Sequence, residues 1–164
     1  MRISYQSPVV RGIQSFLQGH AGISISNIVF MADISGGITD EQTDQTGLEM
    51  NCVMQAFQVP STLLDFDHRV REMRFFRRGE HIFPQESGNG GTDYRPPFEY
   101  IKGHMLTPSI IICLTDGQCN LFADPPTCPV FWCLLDNAPF DPPYGTVIRI
   151  YADDAPVSPP KMPS

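Results

Sequence analysis

The 164-residue sequence predicts an α/β fold: a doubly wound, mostly parallel sheet with helices on both faces and one antiparallel edge strand. Three observations carry this. The stretches 27–34, 109–114 and 129–135 are largely apolar runs of strand length, the pattern of strands buried on both faces. Helix-like stretches alternate with them, which favours parallel strands joined by crossovers. Two further strand-like stretches, 61–67 and 70–76, are separated by a link too short for a helix and therefore read as an antiparallel hairpin.

The length suits one domain with a real core. The sequence divides into an N-terminal extension at 1–24, a domain at 25–152, and a Pro/Ser-rich tail at 153–164. Sixteen prolines cluster late, as in Asp124-Pro125-Pro126 and Ser158-Pro159-Pro160, and mark loops and the tail. A formal net charge of −7 argues against nucleic acid as a partner. Five cysteines are an odd number in a chain that is not small, so a disulfide scaffold is not expected. Met1-Arg2-Ile3-Ser4-Tyr5-Gln6 has no apolar signal segment after it, and the apolar runs are too short to cross a bilayer. A cytoplasmic protein without membrane contact is the expectation.

In chain order, Val9 to Leu17 fits a short helix or a strand with a turn. The first confident strand follows at about 26–34. Thr39 can cap a helix, with Gln42 as the reciprocal capping-box partner and Asp40 and Glu41 at the positive end of the dipole. Leu48, Cys52, Val53, Met54 and Phe57 give that helix its apolar face up to about Gln58, although Gly47 weakens it. The hairpin strands come next, then a glycine-rich loop at 86–91. Tyr94 to Met105 reads as a helix, with Pro96 and Pro97 in its tolerant first turn. Apolar strands at 109–114 and 129–135 lead to a last alternating strand at 146–151.

The stretch 27–37 organises the rest. An apolar run ends in Asp33, then come Ser35, Gly36 and Gly37. This places a carboxylate and a hydroxyl at the C-terminal edge of a strand, where open α/β sheets bind ligands. Thr92 in Gly90-Gly91-Thr92-Asp93 and Asp116 in Leu114-Thr115-Asp116-Gly117 converge on the same edge. Carboxylates and hydroxyls from three loops suit a hard cation, which takes oxygen ligands and keeps several waters. From spacing alone, an acidic turn in which Ser35 helps to cap the next helix is an equal alternative.

Asp33-x-Ser35-Gly36, with Thr92 and Asp116 on the two later loops, resembles the von Willebrand factor A (VWA) domain and its metal-ion-dependent adhesion site. The sequence is similar to the VWA-like domain at the C-terminus of a bacterial family to which a metallopeptidase role is attached. The similarity extends from about Asn27 to Ile150, including Leu64-Asp65-Phe66-Asp67, Pro129-Val130-Phe131-Trp132 and Gly145-Thr146-Val147-Ile148-Arg149-Ile150. The resemblance implies that Asp33, Ser35 and Thr92 hold Mg²⁺ (or Mn²⁺ or Ca²⁺) directly or through water, with Asp116 acting mostly through water. One departure stands out. The adhesion motif reads Asp-x-Ser-x-Ser, and Gly37 occupies its last position, so one hydroxyl ligand is missing and affinity should fall.

Two functions follow as expectations. The first is a protein-interaction module whose bound cation leaves a position open for an acidic group of a partner. By resemblance only, that partner is a MoxR-type AAA+ ATPase. The alternative is a metal-dependent hydrolase, in which the metal activates water and Asp93 serves as base. Against it, the chain has no His-Glu-x-x-His and no nucleophile elbow, and His20, His68, His81 and His104 are scattered. His68 and His81 read as surface residues, and Cys113, Cys128 and Cys133 as buried thiols rather than zinc ligands. Arg69, Arg71, Arg74, Arg77 and Arg78 form the one basic concentration, read as a charged edge strand or as a docking strip for an acidic partner.

Overall fold

A computed structural model describes residues 5–150. In order come α1 (Pro8–Gln18), β1 (Ile28–Asp33), α2 (Asp40–Phe57), β2 (Ser61–Phe66), β3 (Val70–Phe76), α3 (Arg95–Gly103), β4 (Ile110–Thr115), β5 (Val130–Leu134) and β6 (Thr146–Arg149). The strands form one sheet in the order β3-β2-β1-β4-β5-β6. Every adjacent pair is parallel except β2 and β3. The doubly wound reading with an antiparallel edge strand therefore holds. The strand order reverses around β1, whose neighbours are β2 and β4, so the crevice for a ligand lies at the C-terminal ends of these strands.

β1, β4 and β5 are buried along their whole length, because both faces of the sheet are covered. On one face Ile28, Phe30 and Ala32 pack with Ile13 of α1 and with Met50, Val53 and Met54 of α2. On the other, Val29 and Met31 pack with Phe98 and Ile101 of α3. Period-two alternation in the strands thus feeds two cores. On this second face the connections after β4 and β5 carry no helix, and aromatic rings do the covering. Trp132 sits among Tyr94, Phe98, Phe122, Phe140 and Tyr144, and its Nε1 donates to the Tyr144 carbonyl at 2.8 Å. A Cβ on Gly145 would come within 2.7 Å of that indole nitrogen, and its φ of 90° suits glycine.

The segment 9–17 is a helix, not a strand. Ser7 caps it, Pro8 occupies its first turn, and Val9 and Ile13 are buried. Its start is anchored by Glu49 of α2, which is fully buried and accepts from Ser7 Oγ (2.7 Å), Val9 N (3.2 Å) and the Tyr5 hydroxyl. α2 begins with the predicted capping box between Thr39 and Gln42 and ends at Gln58, which takes a left-handed φ of 50°. Gly47 has a packing reason: a Cβ there would lie 3.0 Å from Pro84. The third helix and the last strand are shorter than predicted. Residue 151 and the tail lie outside the described residues.

The chain between β3 and the glycine-rich loop forms a strap against α2 and the first face of β3. Asn51 bonds both the N–H and the carbonyl of Ile82, each at 2.8 Å. Arg74 of β3 donates to the Phe83 carbonyl at 2.8 Å and to Asp65 Oδ2 at 3.0 Å. Asp65 is 1% exposed. Its Oδ1 and the Arg74 Nε have no hydrogen-bond partner among the described residues. Burial pushes the Asp65 carboxyl up to about 6, with Arg74 offsetting part of the rise.

This shift fixes a sign. The folded state holds the Asp65 proton more tightly than the unfolded chain, so the contribution is full below the unfolded value near 4 and is lost as pH rises through 6. Thermal unfolding from pH 4 to 7 should show a component of about 3 kcal/mol lost over that window. Asp65→Asn, which cannot ionise, should flatten it. An unchanged pH profile in the variant would refute the assignment.

Candidate functional site

The site begins where β1 runs out. Asp33 is the last residue of the strand and is 3% exposed. Beyond it the chain turns, with Ile38 N–H donating to the Ser35 carbonyl at 3.1 Å. Within this turn the Ser35 N–H donates to Asp33 Oδ1 at 2.9 Å. The second carboxylate oxygen is taken from the neighbouring strand: Thr115 Oγ1 donates to Asp33 Oδ2 at 2.6 Å. Since the Thr115 proton is committed to Asp33, the Tyr94 hydroxyl 3.0 Å away is the donor in its bond to Thr115. The Gly117 N–H also donates to Thr115 Oγ1, at 3.2 Å. The threonine hydroxyl is thereby fully used, with one bond given and two received.

The glycine-rich loop is pinned to the same edge by its backbone. Gly36 N–H donates to the Gly90 carbonyl at 2.8 Å, Gly88 N–H to Ile34 at 2.9 Å, and Asp93 N–H to Asp67 at 2.9 Å. These bonds need close approach. A Cβ on Gly36 would lie 3.2 Å from the backbone of Asn89, and one on Gly90 would collide with the Asp67 carboxylate. Thr92 is half-buried on this loop, and its hydroxyl has no hydrogen bond among the described residues. The third loop contributes Asp116, 4% exposed, whose Oδ1 accepts from Gln118 N–H at 3.0 Å. Asp116 Oδ2 faces the first turn, 3.1 Å from where a Cβ on Gly37 would stand. The fold thus brings Asp33, Ser35 and Asp116 to one edge, and Thr92 follows two positions after Gly90, whose carbonyl is bonded to Gly36.

Burial pushes the Asp33 carboxyl above its usual range, hydrogen bonds from Ser35 and Thr115 offset part of this, and the Asp116 carboxylate pushes it further up. Asp33 and Asp116 thus put two carboxylates at one edge, near enough for the Asp116 charge to act on Asp33. Among the described residues, no group of three or more His, Cys, Asp or Glu could hold a metal ion. The candidate set is therefore two carboxylates and two hydroxyls, an oxygen-only set that suits a hard divalent cation. Gly37 supplies no hydroxyl, and a Cβ in its place would stand only 3.1 Å from Asp116 Oδ2, so the carboxylate would have to shift to admit one. A cleft of about 350 Å³ opens alongside, lined by Gly117, Gln118, Phe122 and Phe140.

The remaining candidates fall elsewhere. Asp93 is held by Arg95, at 3.0 Å from Nε and 2.8 Å from Nη2, which keeps its carboxyl below the usual range. A carboxylate so stabilised is a weak base, which weighs against the role considered for it. Asp67 also lies low: burial would raise it, but Arg71 and the Arg69 amide outweigh that. His68 is exposed beside Asp67, and His81 is exposed against Phe83. Cys113 and Cys133 are buried in the two different cores, with burial pushing both thiols up. Thr115 was missed as a functional residue. Its signal was a hydroxyl closing an apolar strand, one position before Asp116.

Thr115→Val keeps the shape but strands Asp33 Oδ2 and the Tyr94 hydroxyl in the interior. The expected cost is about 2–3 kcal/mol in denaturant unfolding, against about 0.5 kcal/mol for an exposed substitution such as Thr127→Val. Equal costs would show that the Thr115 bond does not support Asp33.

No curated protein matches the chain. The family model described as a VWA-like domain (DUF2201) matches residues 28–151, from the start of β1 past the end of β6. That span includes all six strands and all three loops at the Asp33 edge, and with this sheet and this match the chain belongs to the VWA-like domain (DUF2201) family.

Proposed function

We propose that this domain is a protein-interaction module with a degenerate metal-ion-dependent adhesion site. Asp33, Ser35, Thr92 and Asp116 would hold a divalent cation, Mg²⁺ foremost and Mn²⁺ or Ca²⁺ in its place. Once bound, the cation supplies a coordination position for an acidic group of a partner. The observation that carries the reading is the placement of Asp33 and Asp116 at one buried edge, close enough for the Asp116 charge to raise the Asp33 carboxyl. Asp33 is oriented by Ser35 and Thr115, so it meets a ligand without rearranging. The unbonded Thr92 hydroxyl is free to turn toward it.

A hydrolytic role has less support, since Asp93 is neutralised by Arg95 and none of the four histidines is bonded to the Asp33 cluster. We place this domain as the partner-binding part of the metallopeptidase-associated family it resembles, with a MoxR-type AAA+ ATPase as the partner class. In this reading peptidase chemistry is no part of the domain.

The test is calorimetric titration of chelator-stripped protein with Mg²⁺ and Mn²⁺. Binding should vanish in Asp33→Asn and tighten in Gly37→Ser, which restores the missing hydroxyl. At about 100-fold excess over its dissociation constant, the metal should add about 2.7 kcal/mol to stability. Protons compete for Asp33, whose carboxyl is raised, so the gain is full above that raised value and shrinks as pH falls through it. Absence of binding in both the wild type and Gly37→Ser at about 10 mM metal, far above any working affinity, would overturn the reading.

A further inference from the structure

The free edge of β3 is not explained by the Asp33 site. β3 is the terminal strand of the sheet, and its seven residues make it the longest. Alternate residues Glu72 and Arg74 turn to the strap, bonding Gln85 and the Phe83 carbonyl. The other row is Arg71, Met73 and Phe75. Met73 is 49% exposed and Phe75 is 62% exposed, so two large apolar side chains stand side by side in water. No backbone bond from 70–76 runs outward to another segment among the described residues.

The charge around this row is unusual for the molecule. Residues 67–80 carry five arginines against three acids, a local excess of +2 in a chain whose net charge is −7. Arg71 and Arg74 are committed to Asp67 and Asp65. Arg69, Arg77 and Arg78 are exposed, and their guanidinium groups have no ion pair among the described residues. Edge strands are commonly protected by charges, lysines or prolines set along the strand itself. Here the charges within the strand are engaged, Arg71 with Asp67, Arg74 with Asp65 and Glu72 with Gln85, which leaves Met73 and Phe75 as its exposed apolar row between the flanking arginines. That is a poor barrier to pairing and a good cradle for a strand that is apolar in the middle and acidic at its ends.

We infer that β3 is a docking edge for an extended acidic segment of a partner protein, which adds a seventh strand to the sheet. Main-chain bonds along β3 would supply affinity. Met73 and Phe75 would take the apolar side chains, and Arg69, Arg77 and Arg78 the terminal carboxylates. Arg69 and Arg77 are eight residues apart, about 27 Å in an extended strand, so the segment is about eight to ten residues long. This surface is separate from the Asp33 site, and neither depends on the other.

The probe is a fluorescein-labelled peptide, Glu-Asp-Val-Thr-Ile-Thr-Val-Asp-Glu, followed by anisotropy against the full chain. Saturable binding is expected, weakened about tenfold or more, or 1.4 kcal/mol, in the triple variant R69E/R77E/R78E, and weakened again by raising salt. The double variant M73T/F75T should lose binding as well, while Asp33→Asn should leave it unchanged. All substitutions of Arg, Met and Phe are at exposed positions, and circular dichroism confirms that each variant folds. A peptide with proline at its centre keeps the charge but cannot pair, and should not bind. Equal binding of that peptide, equal binding of one with lysine ends, or no binding to the wild type would overturn the inference. So would a dimer in sedimentation that excludes the peptide, since the occupant would then be a second copy.

Discussion

The hydrogen bond from Thr115 to Asp33 is the interaction on which the upper edge of the sheet depends. A carboxylate at the end of a central strand, 3% exposed, would be costly without donors. β4 supplies one from Thr115, and the turn after β1 supplies the other from Ser35. The same threonine hydroxyl receives bonds from Tyr94, at the start of α3, and from Gly117, in the third loop. One buried polar network therefore ties together two strands, a helix and a loop. Its members are mutually satisfied, which is the condition under which a polar cluster rigidifies a core rather than weakening it.

How far the sequence made this legible depends on the type of signal. The strands were readable because their burial is complete: apolar runs such as 110–114 have no competing explanation. α2 was readable from the Thr39 and Gln42 pair, a local device that needs no tertiary context. Asp33, Ser35 and Asp116 were readable from residue types at strand ends. Their juxtaposition rests on the parallel order of β1 and β4, which the sequence implies only through the fold. Thr115 escaped notice because a threonine in a strand is ordinary, and only pairing with β1 reveals its direction. The pairing of Asp93 escaped notice for the complementary reason: the neighbouring Arg95 folds back onto it, a contact that spacing leaves open. The strap was also invisible, since Asn51 acts through Ile82, 31 positions later, and Gly47 through the still more distant Pro84.

The two faces of the sheet solve the same covering problem differently. On one, α1 and α2 bury aliphatic side chains in the usual manner of helices on a sheet. On the other, only α3 is helical, and the loops before and after β5 hang from Trp132 and its ring neighbours. Large rings bury much area at little conformational cost, so a few of them hold irregular chain in place. This leaves the loop that carries Asp116 anchored by Phe122 and Phe140 within a few residues of the candidate site.

The contact between α1 and β6 has a consequence for how the chain reaches this state. Gly12 lies so close to Ile148 that an added Cβ would stand 2.5 Å from the isoleucine's Cδ1. The first helix thus docks against the last strand of the sheet. On a ribosome, synthesis delivers α1 long before β6 exists, and contacts this distant in sequence are slow to close. Until then the helix can lean on α2 through Glu49 and on the earlier strands through Ile13 and Phe16, and the side that faces Ile148 stays uncovered. The first helix is therefore fully covered only once the last strand of the sheet has been made.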